Sequence, residues 1–370
     1  MSSARIGSLD GLRAGSIVFV LYGHLVGTHG FPDVGALRLA LGDMANLGVN
    51  VFFIISGFLI TSLLIGERHR TGRVSLKGFY WRRALRILPA AYAFLLAIVI
   101  AGQLGWIEIG REDLVVAATY LVNYDTTRAW SIGHLWSLSV EEQFYLLWPI
   151  GFVLLSERHA LIAATLTFAL APVVRTIMHV AFAHTAYADL EIFPAVADGI
   201  AIGCVFALLR PWLLAQAWYL RCTASRWLWL LLPLIVVVNR ARNHTIVDAL
   251  AWPCMLVATA VLIEASTRRR GTWSWKILNW PPIAFVGTLS YSLYLWQQPF
   301  LNRHMDAWAT AFPVNLLLAI MAALASYFLI ERPFLRLRRS KPVELEGPDA
   351  TTANAAVAAS FEDPGAASSR

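Results

Sequence analysis

His24 falls inside an apolar stretch eleven residues after Arg13, and that pair is the first place where this chain could do chemistry. Eleven residues is close to three helical turns. Both side chains therefore share one helix face, roughly 16 Å apart at ~1.5 Å rise per residue. Ionisable groups at membrane depth are costly, and their default reading is functional. An imidazole there can exchange a proton near neutral pH, or it can be a hydrogen-bonded packing residue. Arg13, in Leu9-Asp10-Gly11-Leu12-Arg13, reads equally well as a snorkelling arginine at a helix end.

A second concentration runs His134-Leu135-Trp136-Ser137-Leu138-Ser139-Val140-Glu141-Glu142-Gln143-Phe144-Tyr145. Helical spacing puts Glu141 on a face with His134, Ser137, Tyr145 and Trp148, and Glu142 on a face with Leu135, Leu138, Leu146 and Pro149. The polar face is the better cavity lining, so Glu141 is the candidate carboxylate, at a depth comparable to that of His24. A third cluster is Tyr80-Trp81-Arg82-Arg83-Ala84-Leu85-Arg86-Ile87-Leu88-Pro89. Arg83 and Arg86 are three apart and face one way. Their guanidiniums suit phosphates, and they suit a juxtamembrane patch on anionic lipid nearly as well. Arg175 and Asp198 fall within apolar stretches and are expected to pair. Gly48, Gly57, Gly199 and Gly203 are expected to let helices pack closely.

The elements that must position these groups are helices in a bilayer. Of 370 residues, 58% are hydrophobic and only 14% charged, about half the charged share of a soluble domain. The apolar runs reach about 20 residues, enough to cross a hydrocarbon core of ~30 Å. The expected class is an all-α, polytopic membrane protein with ten spans, near 12–28, 45–65, 88–104, 134–155, 159–181, 190–209, 226–240, 246–266, 283–302 and 312–332. Leu114 to Leu121 is too short to cross and is expected to lie at the interface or re-enter. With both termini cytoplasmic, 22 lysines and arginines fall on inside segments and six outside, as the positive-inside rule asks. The net charge of +7 flanks spans instead of forming one stripe, which argues against nucleic acid as a partner. Residues 1–340 read as one membrane domain and 341–370 as a disordered cytoplasmic tail. The first span has no cleavage site and reads as an uncleaved anchor. Cys204, Cys222 and Cys254 lack metal-type spacing, so neither disulfide nor metal is expected.

The motifs together resemble the acyltransferase-3 membrane proteins, which acylate cell-envelope polysaccharides and related molecules. Leu9 to Arg13 with His24 is similar to that family's opening Arg-x10-His signature. Gly48 to Ile60 resembles its second-span motif, Arg83 to Pro89 its Arg-x-x-Arg segment, and Ser137 to Tyr145 its Ser-Leu-Ser-Val-Glu-x-Gln-Phe-Tyr block. Ser290 to Trp296 and Glu331-Arg332-Pro333-Phe334 look like its closing motifs. Many members carry a histidine after the Leu-Trp pair, where this chain has Gln297, an amide that can only hydrogen-bond.

The resemblance implies a multi-pass protein of the inner (plasma) membrane. It implies an acyl-CoA donor, usually acetyl-CoA, held by Arg13, Arg83 and Arg86, and a hydroxyl acceptor on a carbohydrate or lipid-linked sugar. His24 would act as base or acyl carrier, with Glu141 orienting it. Members with a fused extracytoplasmic esterase-like domain differ from this chain, so delivery to a distant polymer would need a partner. The rival reading is a proton-coupled transporter or flippase in which His24, Glu141, Arg175 and Asp198 form a relay. Against it stands the absence of a detectable repeat.

Overall fold

The computed structural model describes residues 7–33, 35, 44–188, 190–240 and 250–337. The tail from 341 and the segment opening the expected eighth span lie outside the described residues, as do Arg5, Arg38 and Arg242. Every regular element among the described residues is helical. The principal helices are α1 (Gly7–Leu25), α2 (Met44–Thr71), α3 (Leu76–Gln103), α4 (Arg111–Ala118), α5 (Leu135–Leu154), α6 (Glu157–Ala181), α7 (Asp198–Ala215), α8 (Ala217–Ala224), α9 (Leu231–Arg240), α10 (Trp252–Arg268), α11 (Trp273–Leu278), α12 (Pro281–Phe300), α13 (Val314–Ser326) and α14 (Arg332–Leu337). A π-turn at Tyr327–Glu331 joins the last two into one continuous rod.

A helix thus occupies each of the ten stretches the hydropathy pattern marks. Five of them, α2, α3, α6, α7 and the α13–α14 rod, are long and apolar enough to cross a membrane. A sixth candidate is bent: α8 and the run Arg226–Arg240 meet at 66°. The eight-residue α4, ~12 Å long, is too short to cross, as expected of the 114–121 stretch.

Burial sorts centre from periphery. Two-thirds of the apolar window of α2 is buried against 17% of that of α6. On α6, Ile162, Leu166, Leu170, Val173, Ile177 and Val180 recur at three- and four-residue spacing and are all exposed. A soluble helix turns such a stripe inward; here it faces the lipid that satisfies it. This is a membrane protein.

α2 packs most extensively on α7, and α1 lies between α2 and α12. The α2–α7 contact needs glycine. A Cβ on Gly57 would stand 2.0 Å from the Ile200 carbonyl oxygen, and one on Gly203 would stand 2.2 Å from that of Ile54. The expected pairing of Arg175 with Asp198 is also present: the guanidinium donates to the carboxylate at 2.8 Å and to the Ala195 carbonyl at 3.0 Å.

One sequence expectation needs correcting. The second span is expected to end near 65 and the third to begin near 88, yet α2 continues to Thr71 and α3 starts at Leu76. The turn is tight because Ser75 caps α3, its Oγ accepting from Gly78 N–H, while the Glu67 carboxylate accepts from Ser75 N–H and pairs with Arg82. Arg83 and Arg86 therefore sit on a rigid helix.

Candidate active site: an inner arginine–glutamate cavity and an outer histidine cluster

Five helices supply the walls of a cavity of about 80 Å³. Arg13 comes from α1, Ser56 from α2, Arg83 and Arg86 from α3, and Ser137, Glu141, Glu142 and Tyr145 from α5; Tyr291 and Tyr294 of α12 close it. Ser56 Oγ–H donates to the Glu141 carboxylate at 2.6 Å and accepts from Tyr145 Oη–H at 2.9 Å. The Arg83 guanidinium lies 4.4 Å above the Tyr145 ring centre, which fixes its planar group at the wall. Asp10 lies 3.5 Å from Arg13. On the far side the Ser137 and Tyr294 hydroxyls are 2.5 Å apart, and Tyr294 donates to the His134 carbonyl at 3.0 Å.

Three guanidiniums facing two carboxylates in one water-sized chamber form a charge-dense, hydrogen-bonding site. Guanidinium forks match phosphate geometry, so this wall can hold a phosphorylated ligand. Both glutamates line the chamber. Adjacent helical residues point ~100° apart, so a cavity broad enough to span that arc takes both, although the apolar face of Glu142 reads in the sequence as the packed one. Ser56 was invisible as a carboxylate partner; its only signal is a hydroxyl inside the apolar run Phe52-Phe53-Ile54-Ile55-Ser56.

His24 stands elsewhere. Its ring meets Trp130 edge-on at 6.2 Å, and Arg303 is its charged neighbour. Arg303 donates to the Gly23 carbonyl at 3.1 Å and covers the Trp130 ring at 5.3 Å, while His304 packs on that ring at 4.8 Å. Trp130 is pinned by two reciprocal bonds: its indole N–H donates to the Gln298 carbonyl, and the Gln298 amide donates to the Trp130 carbonyl at 2.6 Å. Gln297 is fully buried, and its side-chain amide interacts with the His24 ring.

The structure thus brings Arg13, Arg83, Arg86 and Glu141 together and leaves His24 apart from them. The reason is axial register. His24 is level with Trp130, so Glu141, eleven residues further along, lies deeper by more than ~10 Å, near the Arg13 end of α1. His134, expected on the Glu141 face, instead bonds the Leu295 carbonyl through Nε2 at 3.0 Å. The four-residue relay is not assembled either, since Arg175 and Asp198 are bonded to each other.

The scaffold is an all-helical membrane protein with an arginine-lined chamber toward one end of α1 and a buried histidine toward the other. A model of an acyltransferase domain matches residues 6–332, and the chain belongs to the acyltransferase-3 family. It is similar to O-acetyltransferase OatA of Staphylococcus aureus (strain NCTC 8325), at 28% identity over 358 residues covering 88% of this chain and 56% of that protein. A second S. aureus protein (strain COL), provisionally named O-acetyltransferase SACOL0978, is also 28% identical, over 89% of this chain and 57% of its own length. The chain therefore spans little more than half the length of these curated relatives. No solved structure matches it.

Proposed function

We propose that the protein is a membrane O-acyltransferase that moves an acyl group, acetyl by preference, from acyl-CoA to a hydroxyl of a cell-envelope carbohydrate or related acceptor. The observation that carries this reading is the single chamber in which Arg13, Arg83 and Arg86 converge on one side of α1, with His24 roughly 16 Å outward along the same helix. That spacing suits an extended thioester arm whose phosphates are gripped below and whose acyl group is presented above. The O-acetyltransferase names of the two relatives point the same way.

In the reaction, the acceptor oxygen bonds to the acyl carbon and its proton passes to the neutral His24 imidazole. The carbon–sulfur bond then breaks and coenzyme A leaves as thiolate, taking up a proton. Glu141, anchored by Ser56 among the arginines, balances their charge and fixes the donor site, a role distinct from orienting His24. The reading places the chain in the plasma membrane with ten crossings and both termini cytoplasmic, so that coenzyme A never has to cross.

Reconstituted protein given radiolabelled acetyl-CoA and an envelope-glycan fraction tests this. Label in the glycan with matching coenzyme A release is the expected result. Neither product above an empty-liposome blank would refute the enzyme reading.

A further inference from the structure

Gln143, inside the Glu-x-Gln-Phe-Tyr block, has no part in the reaction just described. Its amide N–H donates to the Tyr120 carbonyl at 2.9 Å and to Asn123 Oδ1 at 2.9 Å. Asn123 is fully buried and donates onward to the Glu191 carbonyl at 3.3 Å. The clamp holds an uncomfortable backbone. Tyr120, just past α4, has φ of +55°, in the left-handed region that a bulky residue avoids. Such strain persists only where its surroundings over-determine it, and it gathers at functional sites.

The same residue carries an unsatisfied hydroxyl. Tyr120 Oη is buried and makes no hydrogen bond to any described residue. A buried orphan donor is uncommon, because its desolvation goes uncompensated. Tyr120 is one wall of a small apolar pocket shared with Phe94, Ala117, Leu135, Leu138 and Leu295. The pocket has about 10 Å³ of room, about that needed for one water-sized group. Leu138 is a wall of both this pocket and the arginine chamber, and Glu142 lies one helical turn along α5 from it. Phe94, on the opposite wall, meets the ring of His134 edge-on at 5.7 Å. His134 also bonds the carbonyl of Leu295, another pocket wall, and has His24 as its charged neighbour, so the pocket runs from Leu138 at the arginine chamber to the histidine level.

We infer that this pocket receives the methyl end of the donor thioester's acyl group, and that the Tyr120 hydroxyl at its wall donates a hydrogen bond to the carbonyl oxygen. The inference rests on the acyltransferase reading above. As the acceptor oxygen adds to the carbonyl carbon, negative charge grows on the carbonyl oxygen and strengthens that bond. When the carbon–sulfur bond breaks, the charge returns to a new carbonyl. Tyr120 keeps its proton throughout, and the proton balance is that of acceptor hydroxyl to His24 and of thiolate to thiol. Preorganised donors of this kind act in a dry site, where they are most effective. The room available fits the methyl of an acetyl group and excludes a longer chain, which makes Leu138 and Phe94 the residues that set acyl length. Gln143 is a positioning residue, acting through Tyr120.

The test uses the full chain in liposomes with acetyl-CoA and propionyl-CoA in parallel. Tyr120→Phe should lower kcat on the order of a hundredfold while KM for acetyl-CoA and the thermal midpoint stay put. Leu138→Ala should raise the propionyl-to-acetyl ratio of kcat/KM by roughly tenfold or more, the worth of one methylene in a fitted pocket. Gln143→Leu should lower kcat too, and combined with Tyr120→Phe should add little, as for residues that act as one unit. Tyr120→Phe at the wild-type kcat, or an unmoved ratio in Leu138→Ala, overturns the inference while leaving the enzyme reading intact. Wild-type protein that turns over neither thioester sinks both.

Discussion

Asp198 is 1% exposed and its partner Arg175 20% exposed, with 2.8 Å between guanidinium nitrogen and carboxylate oxygen. At an effective dielectric near 20, Coulomb's law gives about 6 kcal/mol for such a pair before any desolvation is counted. Desolvation removes most of that, and what a mutation reads is the cost of stranding the survivor: about 3–5 kcal/mol for a fully buried partner. Arg175 keeps some exposure and also bonds the Ala195 carbonyl, so Asp198→Asn should cost less, about 2–3 kcal/mol. Arg175→Met strands a carboxylate with almost no exposure and should cost more, about 3–4 kcal/mol. The double variant should lose less than the sum, with a coupling of about 1–2 kcal/mol, at the upper end of polar pairs measured in membrane proteins. The assay is reversible unfolding in mixed micelles for all four members of the cycle. Losses that add within about 0.5 kcal/mol would show that the two charges do not support each other, and the reasoning would fail.

Three further outcomes follow from the same structure. His24→Ala should abolish acyl transfer with insertion and thermal midpoint unchanged; near-normal transfer removes the imidazole from the reaction. Arg83→Glu or Arg86→Glu should weaken acetyl-CoA binding at least tenfold, one such step corresponding to about 1.4 kcal/mol, as read by displacement of labelled donor. Unchanged affinity would return these arginines to the lipid surface. Ser56→Ala deletes a hydroxyl that serves both Glu141 and Tyr145, and a hydrogen bond to a charged group is worth about 1.5–3 kcal/mol; transfer should fall by roughly tenfold or more, and wild-type turnover would contradict the site as drawn.

Helix content and the pairings that depend on residue type were legible in the sequence. The ten apolar stretches all hold helices, because apolar composition over twenty residues leaves the backbone no other way to satisfy itself in lipid. The Arg175–Asp198 pair was legible for a related reason, since neither charge can be left alone there. Gly57 and Gly203 read correctly as contact points. Register between helices was not legible. Placing Glu141 level with His24 assumed that α5 begins at the outer surface, whereas Trp130 and the turn before α5 already stand at the His24 level. The Arg83–Arg86 segment fell outside the expected third span because its charges break the apolar run, while a serine cap and a glutamate eight residues earlier stabilise it as helix. The Tyr120 conformation depends on Gln143, 23 residues distant, and no local pattern announces such a clamp.

The interlock of α2 with α7 has a mechanical consequence. Backbone carbonyls nest where Gly57 and Gly203 lack side chains, so sliding either helix by one residue would set Ser56 or Phe58, or Ile202 or Cys204, against its neighbour's main chain. The two helices must travel as a single beam. Ser56, which tethers Glu141, is mounted on that beam next to the interlock, while Arg13, Arg83 and Arg86 ride on α1 and α3. Arg13 is tied to the same beam, since a Cβ on Gly48 of α2 would stand 2.5 Å from the Ser16 carbonyl oxygen of α1, so any widening of the chamber falls to α3, which carries Arg83 and Arg86.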